Sequence, residues 1–201
     1  YQQCRFSYTP DSRVIEIADT LRYKRIPCDA IWMDIDYMDG YRIFTFNPQG
    51  FPDPKAVNRD LHLRGFHSVW MIDPGAKAET GYSVYDSGTA NDVWVKTVDG
   101  KEYNGDAWPG KVAWPDFTDP KVCQWWGGLY KDFMAQGVDG VWNDVNEPQV
   151  SNTPTGTMPE DNLHRGGNGI PAGTHLQYHN VYGFLMVKSS REGMLAAQPK
   201  K

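Results

Sequence analysis

Apolar positions along the chain alternate between two kinds of spacing. Val14, Ile17, Ala18 and Leu21 recur at helical intervals, with Asp11 or Ser12 placed to cap the helix and Pro27 to break it. Pro54 suits the first turn of a second helix carrying Val57, Leu61 and Leu63 and ended by Gly65. Asp119-Pro120 opens a third over Val122, Trp125, Trp126, Leu129, Tyr130 and Phe133, ended by Gly137. On that helix Trp125 and Trp126 are read as core. A last helix runs from about His175 to Ala197. Between these faces, Gln3 to Tyr8, Asp29 to Ile35, Phe66 to Ile72 and Val138 to Trp142 read as strands, the last short and buried.

Repeated strand and helix implies an α/β fold with parallel strands and right-handed crossovers. A (β/α)8 barrel takes roughly 250 residues and eight such units, so the four units here amount to the first half of a barrel. The expected organisation is one partial catalytic domain over residues 1–201, interrupted by long loops at 74–118 and 145–174. Loops of that length without structure of their own are generally functional.

Each strand after the first ends in polar chemistry. The second leads into Asp34, Asp36 and Asp39, the third into Asp73-Pro74, and the fourth into Asn143-Asp144-Val145-Asn146-Glu147-Pro148. In a closed parallel sheet such ends converge on one rim, where active sites are assembled. Several acids facing one pocket repel each other, a cost that suggests a function such as binding hydroxyls or stabilising a cation. Each has a plainer reading as well. Asp34 suits a turn cap, Asp73 before proline suits an Asx-turn, and Trp108 suits a loop anchor. Asp36 and Asp39 suit loop organisation, with Arg42 as a partner.

Composition narrows the classes. The chain has 201 residues, a net charge of -5 and 40% hydrophobic residues, as one globular domain or part of a larger one. The mild negative charge leaves no footprint for nucleic acid or an anionic membrane. No apolar run reaches the roughly 18 residues of a membrane helix. Aromatic residues make up 13%, which composition alone assigns to the core before a sugar platform. Cys4, Cys28 and Cys123 form neither a disulfide framework nor metal-ligand spacing, so no cofactor and no metal are expected. They favour a cytoplasmic location, with the endoplasmic-reticulum lumen as the alternative. The sequence opens without Met inside an expected strand, consistent with a targeting segment having been removed.

The run Trp142-Asn143-Asp144-Val145-Asn146-Glu147 resembles the aromatic-x-Asp-[Met/Val]-Asn-Glu signature of glycoside hydrolase family 31, the retaining α-glucosidases and their relatives. Val145 stands where Met is commoner. Ile31-Trp32-Met33-Asp34-Ile35-Asp36-Tyr37-Met38-Asp39-Gly40, Phe44-Thr45-Phe46 and Thr157-Met158-Pro159-Glu160-Asp161-Asn162 resemble the branch holding plant neutral α-glucosidases and glucosidase II. The resemblance implies Asp144 as nucleophile and Glu147 as part of the active site. It further implies Asp34 and Asp73 on the hydroxyls of the terminal sugar, with Trp108 and Trp142 lining the pocket. His179, in His179-Asn180-Val181-Tyr182-Gly183, would hold the last helix to the nucleophile loop. Asn143 and Asn146 are candidate hydrogen-bond donors to Asp144. Retaining enzymes need a second carboxyl group roughly 5 Å from the first. In the family it follows a later barrel strand, so residues 1–201 alone are expected to be inactive.

The resulting expectation is an exo-α-glucosidase acting on terminal α-linked glucose of oligosaccharides or α-glucans. Alternatives within the family are an α-xylosidase or an α-glucan lyase. Outside that class stands a non-catalytic glycan-binding fragment. Asp34-Ile35-Asp36 also matches the Asp-x-Asp pair of metal-dependent glycosyltransferases, but no glycine-rich phosphate cradle accompanies it.

Overall fold

In the computed structural model, residues 1–151 and 153–198 are described. They form two compact units, one of Tyr1–Ile72 with Asp132–Trp142, the other of Asp73–Lys131 with Asn143 onward.

The first unit is built on the sheet order β1-β2-β3-β7, where β1 is Gln2–Gln3, β2 Ala30–Met33, β3 His67–Ile72 and β7 Gly140–Asn143. β1 and β3 both run parallel to β2, with Gln2 opposite Ala30 and Ala30 opposite His67. Helices α1 (Asp11–Tyr23) and α2 (Pro54–Leu63) make the crossovers. Asp53 caps α2 by accepting from the Ala56 N–H, and Pro54 fills the first turn, where a missing donor costs nothing. Against this frame Tyr37, Phe46, Phe51, Trp70 and Phe133 make an aromatic cluster, with Phe46 and Phe133 stacked at 5.3 Å. The Tyr37 hydroxyl donates to the Met71 carbonyl, and buried Asn58 links the Trp70 indole to the Gln136 carbonyl. Asp139 accepts from the Ser68 N–H at 3.0 Å and meets His62 Nε2 at 2.6 Å, which fixes the entry to β7.

Several expectations need correction. The first strand is only Gln2–Gln3, because its pairing stops opposite Ile31, and Phe6 is exposed. The α1 N-cap is Pro10, without a side-chain cap; Asp11 lies in the first turn and accepts from the Ser12 N–H. Leu63 is exposed at the end of α2. All four residues of β7 are half-buried, because among the described residues β7 ends the sheet order and one of its edges has no neighbouring strand.

The second unit holds what the sequence suggested were loops. Residues 74–118 fold as an antiparallel sheet of β4 (Ala76–Lys77), β6 (Gly110–Ala113) and β5 (Asn104–Ala107), together with α3 (Ser83–Ala90). Residues 145–174 end in a hairpin of β8 (Leu163–His164) and β9 (Gly173–Thr174). Helix α4 (Pro120–Met134) opens in this unit, and α5 (His175–Ala197) starts from a capping box between Thr174 and Gln177. Trp126 is fully buried and donates to Ser190, while Trp125 is half-buried and donates to Ser87. Gly127 and Gly193 bring the backbones of α4 and α5 into contact. A Cβ on Gly193 would lie 2.5 Å from the Gly127 Cα and 2.6 Å from its carbonyl oxygen.

Because those atoms are backbone, no rotamer change relieves the clash. Gly193→Ala in the full-length protein is therefore expected to lose about 1–3 kcal/mol of stability, as overpacked cores do. Thermal denaturation of the two proteins reads it, and an unchanged melting temperature would contradict the close helix contact.

Candidate active site

Asp34 and Trp142 belong to the first unit. Asp34 follows β2 directly, and its Oδ1 accepts from the Ile35 N–H at 2.7 Å, capping the short helical turn Ile35–Tyr37. The side chain is half-buried. The turn beyond it is held by Arg42, whose guanidinium donates to the Asp39 carbonyl at 3.1 Å and lies 3.7 Å from its carboxylate. Asp36 accepts from the Ser7 hydroxyl. The Trp142 indole donates to the Met33 carbonyl at 3.1 Å, and its ring meets Trp32 at 5.8 Å.

Asp73, Trp108, Asp144 and Glu147 belong to the second unit. A cavity of about 390 Å³ is lined by Asp73, Gly75, Trp108, Trp114 and Val145, among others. Asp73 is 8% exposed at its wall, whereas Trp108 is 56% exposed at its mouth. Trp108 sits at the tip of the β5–β6 hairpin, in the two-residue turn between Ala107 and Gly110, and Gly110 adopts φ +97°. The hairpin is tied to the loop after β7, since the Ser151 N–H donates to the Asp106 carbonyl at 2.7 Å.

Asp144 and Glu147 are exposed on that loop, and the intervening Val145 is a β-branched residue at φ +48°. The turn is closed by the Gln149 N–H on the Val145 carbonyl at 3.1 Å. One of the two amides expected to serve Asp144 has another partner. Asn143 hydrogen-bonds the Tyr130 hydroxyl, whose pKa burial pushes up to about 12. Asn146 packs on Gly183 of α5, where a Cβ would lie 2.8 Å from the Asn146 carbonyl oxygen.

The sequence reading missed a buried polar line in this unit. Asp116 and His164 have fully buried side chains, 2.8 Å apart between Oδ1 and Nδ1. His164 Nε2 lies 3.1 Å from Nδ1 of His175, itself 1% exposed, and His175 Nε2 lies 3.2 Å from the Thr157 hydroxyl. That hydroxyl donates to the Pro148 carbonyl at 2.8 Å, on the loop carrying Asp144. His175, rather than His179, therefore reaches from α5 towards this loop. His179 contacts the His175 ring and the Asn180 side chain. Burial works against charge on Asp116, but the His164 hydrogen bond and charge, the Arg165 N–H and the Thr118 hydroxyl hold its carboxyl below the usual range. Among the described residues, no group of three His, Cys, Asp or Glu is arranged to hold a metal ion. No helix among them is long and apolar enough to cross a membrane.

A parallel sheet with helical crossovers, and with carboxylates where the strands end, is the framework of a (β/α)8 barrel, of whose eight strands four are seen among the described residues. Residues 1–201 match the TIM-barrel domain of glycosyl hydrolases family 31, and the chain belongs to that family. It is 44% identical to Alpha-glucosidase 2 of Bacillus thermoamyloliquefaciens, over 96% of this chain and 24% of that protein. A crystal structure of a family 31 α-glucosidase from Bacteroides thetaiotaomicron is 72% identical, with a TM-score of 0.83, over 100% of this chain and 32% of that one. The Tris-bound glucosidase II α subunit has a TM-score of 0.91 at 35% identity, over 100% and 21%. The chain thus spans between 21% and 32% of the length of these relatives.

The buried line sets a pH dependence of stability. The His175 pKa is lowered from 6.5 to about 4, first by burial, then by the charge of His164 and of His179. The unfolded chain takes up a proton as pH falls through 6.5, while folded His175 stays neutral until about 4. Stability contributed above pH 6.5 is therefore lost between those two values, by an amount on the order of 3 kcal/mol. Melting temperature should fall across this window in the full-length protein. His175→Gln, which does not titrate, should flatten the fall, and an unchanged slope in that variant would contradict the assignment.

Proposed function

We propose that this chain belongs to a retaining exo-α-glucosidase that removes terminal α-linked glucose from oligosaccharides or α-glucans, with Asp144 as nucleophile. One observation carries the reading: exposed Asp144, at the C-terminal end of β7, adjoins through Val145 a cavity also lined by Asp73 and Trp108. Strand ends are where barrel enzymes place their chemistry. An aromatic face beside a buried carboxylate suits a pyranose, with its apolar C–H surface and polar hydroxyls. The α-glucosidase names of the relatives support this substrate class.

In this reading the Asp144 carboxylate attacks the anomeric carbon and forms a glycosyl-enzyme, while a second carboxyl group protonates the departing oxygen and then activates water. That second group comes from the part of the barrel outside residues 1–201. In the second unit Asp73 accepts from sugar hydroxyls, Trp108 walls the cavity and Glu147 supports the nucleophile turn; for Asp34 and Trp142 the family resemblance supports roles as a hydroxyl acceptor and an aromatic wall.

Asp144→Asn in the full-length enzyme should lose about 10⁴-fold or more in kcat on a maltose-type substrate, the scale seen when a covalent nucleophile is removed. Glucose should still bind, because the amide keeps the shape. Turnover at the wild-type rate would remove Asp144 from the role. Asp34→Ala should weaken both binding and turnover of α-glucosides by about 1–3 kcal/mol, the cost of lost hydrogen bonds to a charged group. Steady-state kinetics equal to wild type would leave Asp34 as a turn cap alone.

A further inference from the structure

Donor and acceptor accounting gives the buried polar line a direction. The Pro148 carbonyl can only accept, so the Thr157 hydroxyl must spend its single proton on it. At 3.2 Å, His175 Nε2 must then be the N–H that donates to the Thr157 oxygen. A neutral His175 with its proton on Nε2 accepts at Nδ1, so His164 Nε2 must donate across the 3.1 Å contact. His164 Nδ1 in turn faces Asp116 Oδ1. That carboxylate also accepts from the Thr118 hydroxyl at 2.6 Å, the Thr118 N–H at 3.2 Å and the Arg165 N–H at 2.7 Å. A carboxylate ringed by donors is ionised, so His164 carries protons on both nitrogens. Every hydrogen bond from His164 to Pro148 then points one way, while the His164 Nδ1–H points back to Asp116.

We infer that Thr157 is a positioning residue, which His175 and His164 orient from Asp116 so that its hydroxyl fixes the Pro148 carbonyl and the turn carrying Asp144. The inference rests on Asp144 being the nucleophile. Pro148 is buried and offers no N–H, so its carbonyl is the one backbone hydrogen-bonding group by which the loop can be gripped there. On the other side of the turn, the flat surface of Gly183 receives the Asn146 carbonyl. The loop is thus held twice by α5, directly at Gly183 and through His175 and Thr157. A buried ion pair such as Asp116–His164 adds little net stability compared with apolar residues of the same volume. Its worth here lies in orientation: it removes the tautomer of His175 that would turn Nε2 into an acceptor and leave Thr157 without a donor.

The test uses the full-length enzyme with Thr157→Val, which keeps the shape and removes the hydroxyl, and Thr157→Ser, which keeps the hydroxyl. With an aryl α-glucoside, Thr157→Val should lose about 10–100-fold in kcat, the scale of a nucleophile displaced by up to 1 Å. KM should stay near wild type, and Thr157→Ser should restore kcat. Rates are taken per active site, titrated with a covalent inactivator. Wild-type kcat in Thr157→Val, or an equal loss in both variants, overturns the positioning role. Neutron diffraction from crystals of the full-length wild type reads the wiring without any substitution. Protons on both nitrogens of His164 and on Nε2 of His175 support the inference, whereas a proton on Nδ1 of His175 overturns it even if Thr157→Val does not fold. A wild type that hydrolyses no α-glucoside would sink the functional reading instead, and the proton positions would still decide the wiring.

Discussion

The second unit depends on one buried carboxylate. Asp116 follows β6, where its N–H donates to the Val93 carbonyl. From there it orients His164 on β8, the Arg165 N–H and the Thr118 turn that leads into α4. Two segments far apart in sequence, 116–118 and 164–165, are thereby fixed to a single pair of oxygens. Burying that charge without its partners would cost several kcal/mol. The segments therefore form this arrangement together, and the cost of partial assembly disfavours half-made versions of the loop.

What could be read from the sequence follows from the range of the forces involved. Helices α1, α2, α4 and α5 announced themselves through local periodicity, with Pro54 and Pro120 opening two of them and Gly65 and Gly137, at φ +72° and +86°, placed just beyond their ends. Strands β2 and β3 were legible as apolar runs because helices cover the sheet. The small sheet of β4, β5 and β6 was not. Its strands have two to four residues, and β4 pairs with β6 from more than thirty positions away, with Ala76 opposite Ala113. No window of local sequence carries that information.

The candidate site divides in the same way. Asp34, Asp73, Asp144 and Glu147 were singled out because each follows a strand, a local signal sharpened by a family signature. Asp116, His164, His175 and Thr157 carried no such signal, since their spacing fits no ligand or catalytic motif and their meaning lies in burial. Two of the five histidines next to Gly-rich loop sequence look like solvent-exposed polar residues until their environment is known. Trp108 was visible as a loop anchor, yet the hairpin that carries it was hidden with the rest of the small sheet.

The conformation of Val145 explains why so much structure converges on one exposed turn. A β-branched side chain at φ +48° crowds its own backbone, and such conformations cost on the order of 1–3 kcal/mol. A solvent-facing loop left to itself would relax, since water can satisfy its backbone in many arrangements. Here the Gln149 N–H holds the Val145 carbonyl, Gly183 receives the Asn146 carbonyl, and Thr157 holds Pro148. Each contact lies on the C-terminal side of Asp144, leaving its carboxylate exposed while the backbone behind it is fixed. In the proposed role Asp144 must keep its attack geometry without being boxed in by its own supports. Gripping the chain through backbone carbonyls, with side chains drawn from a buried and fully paired network, meets both requirements at once.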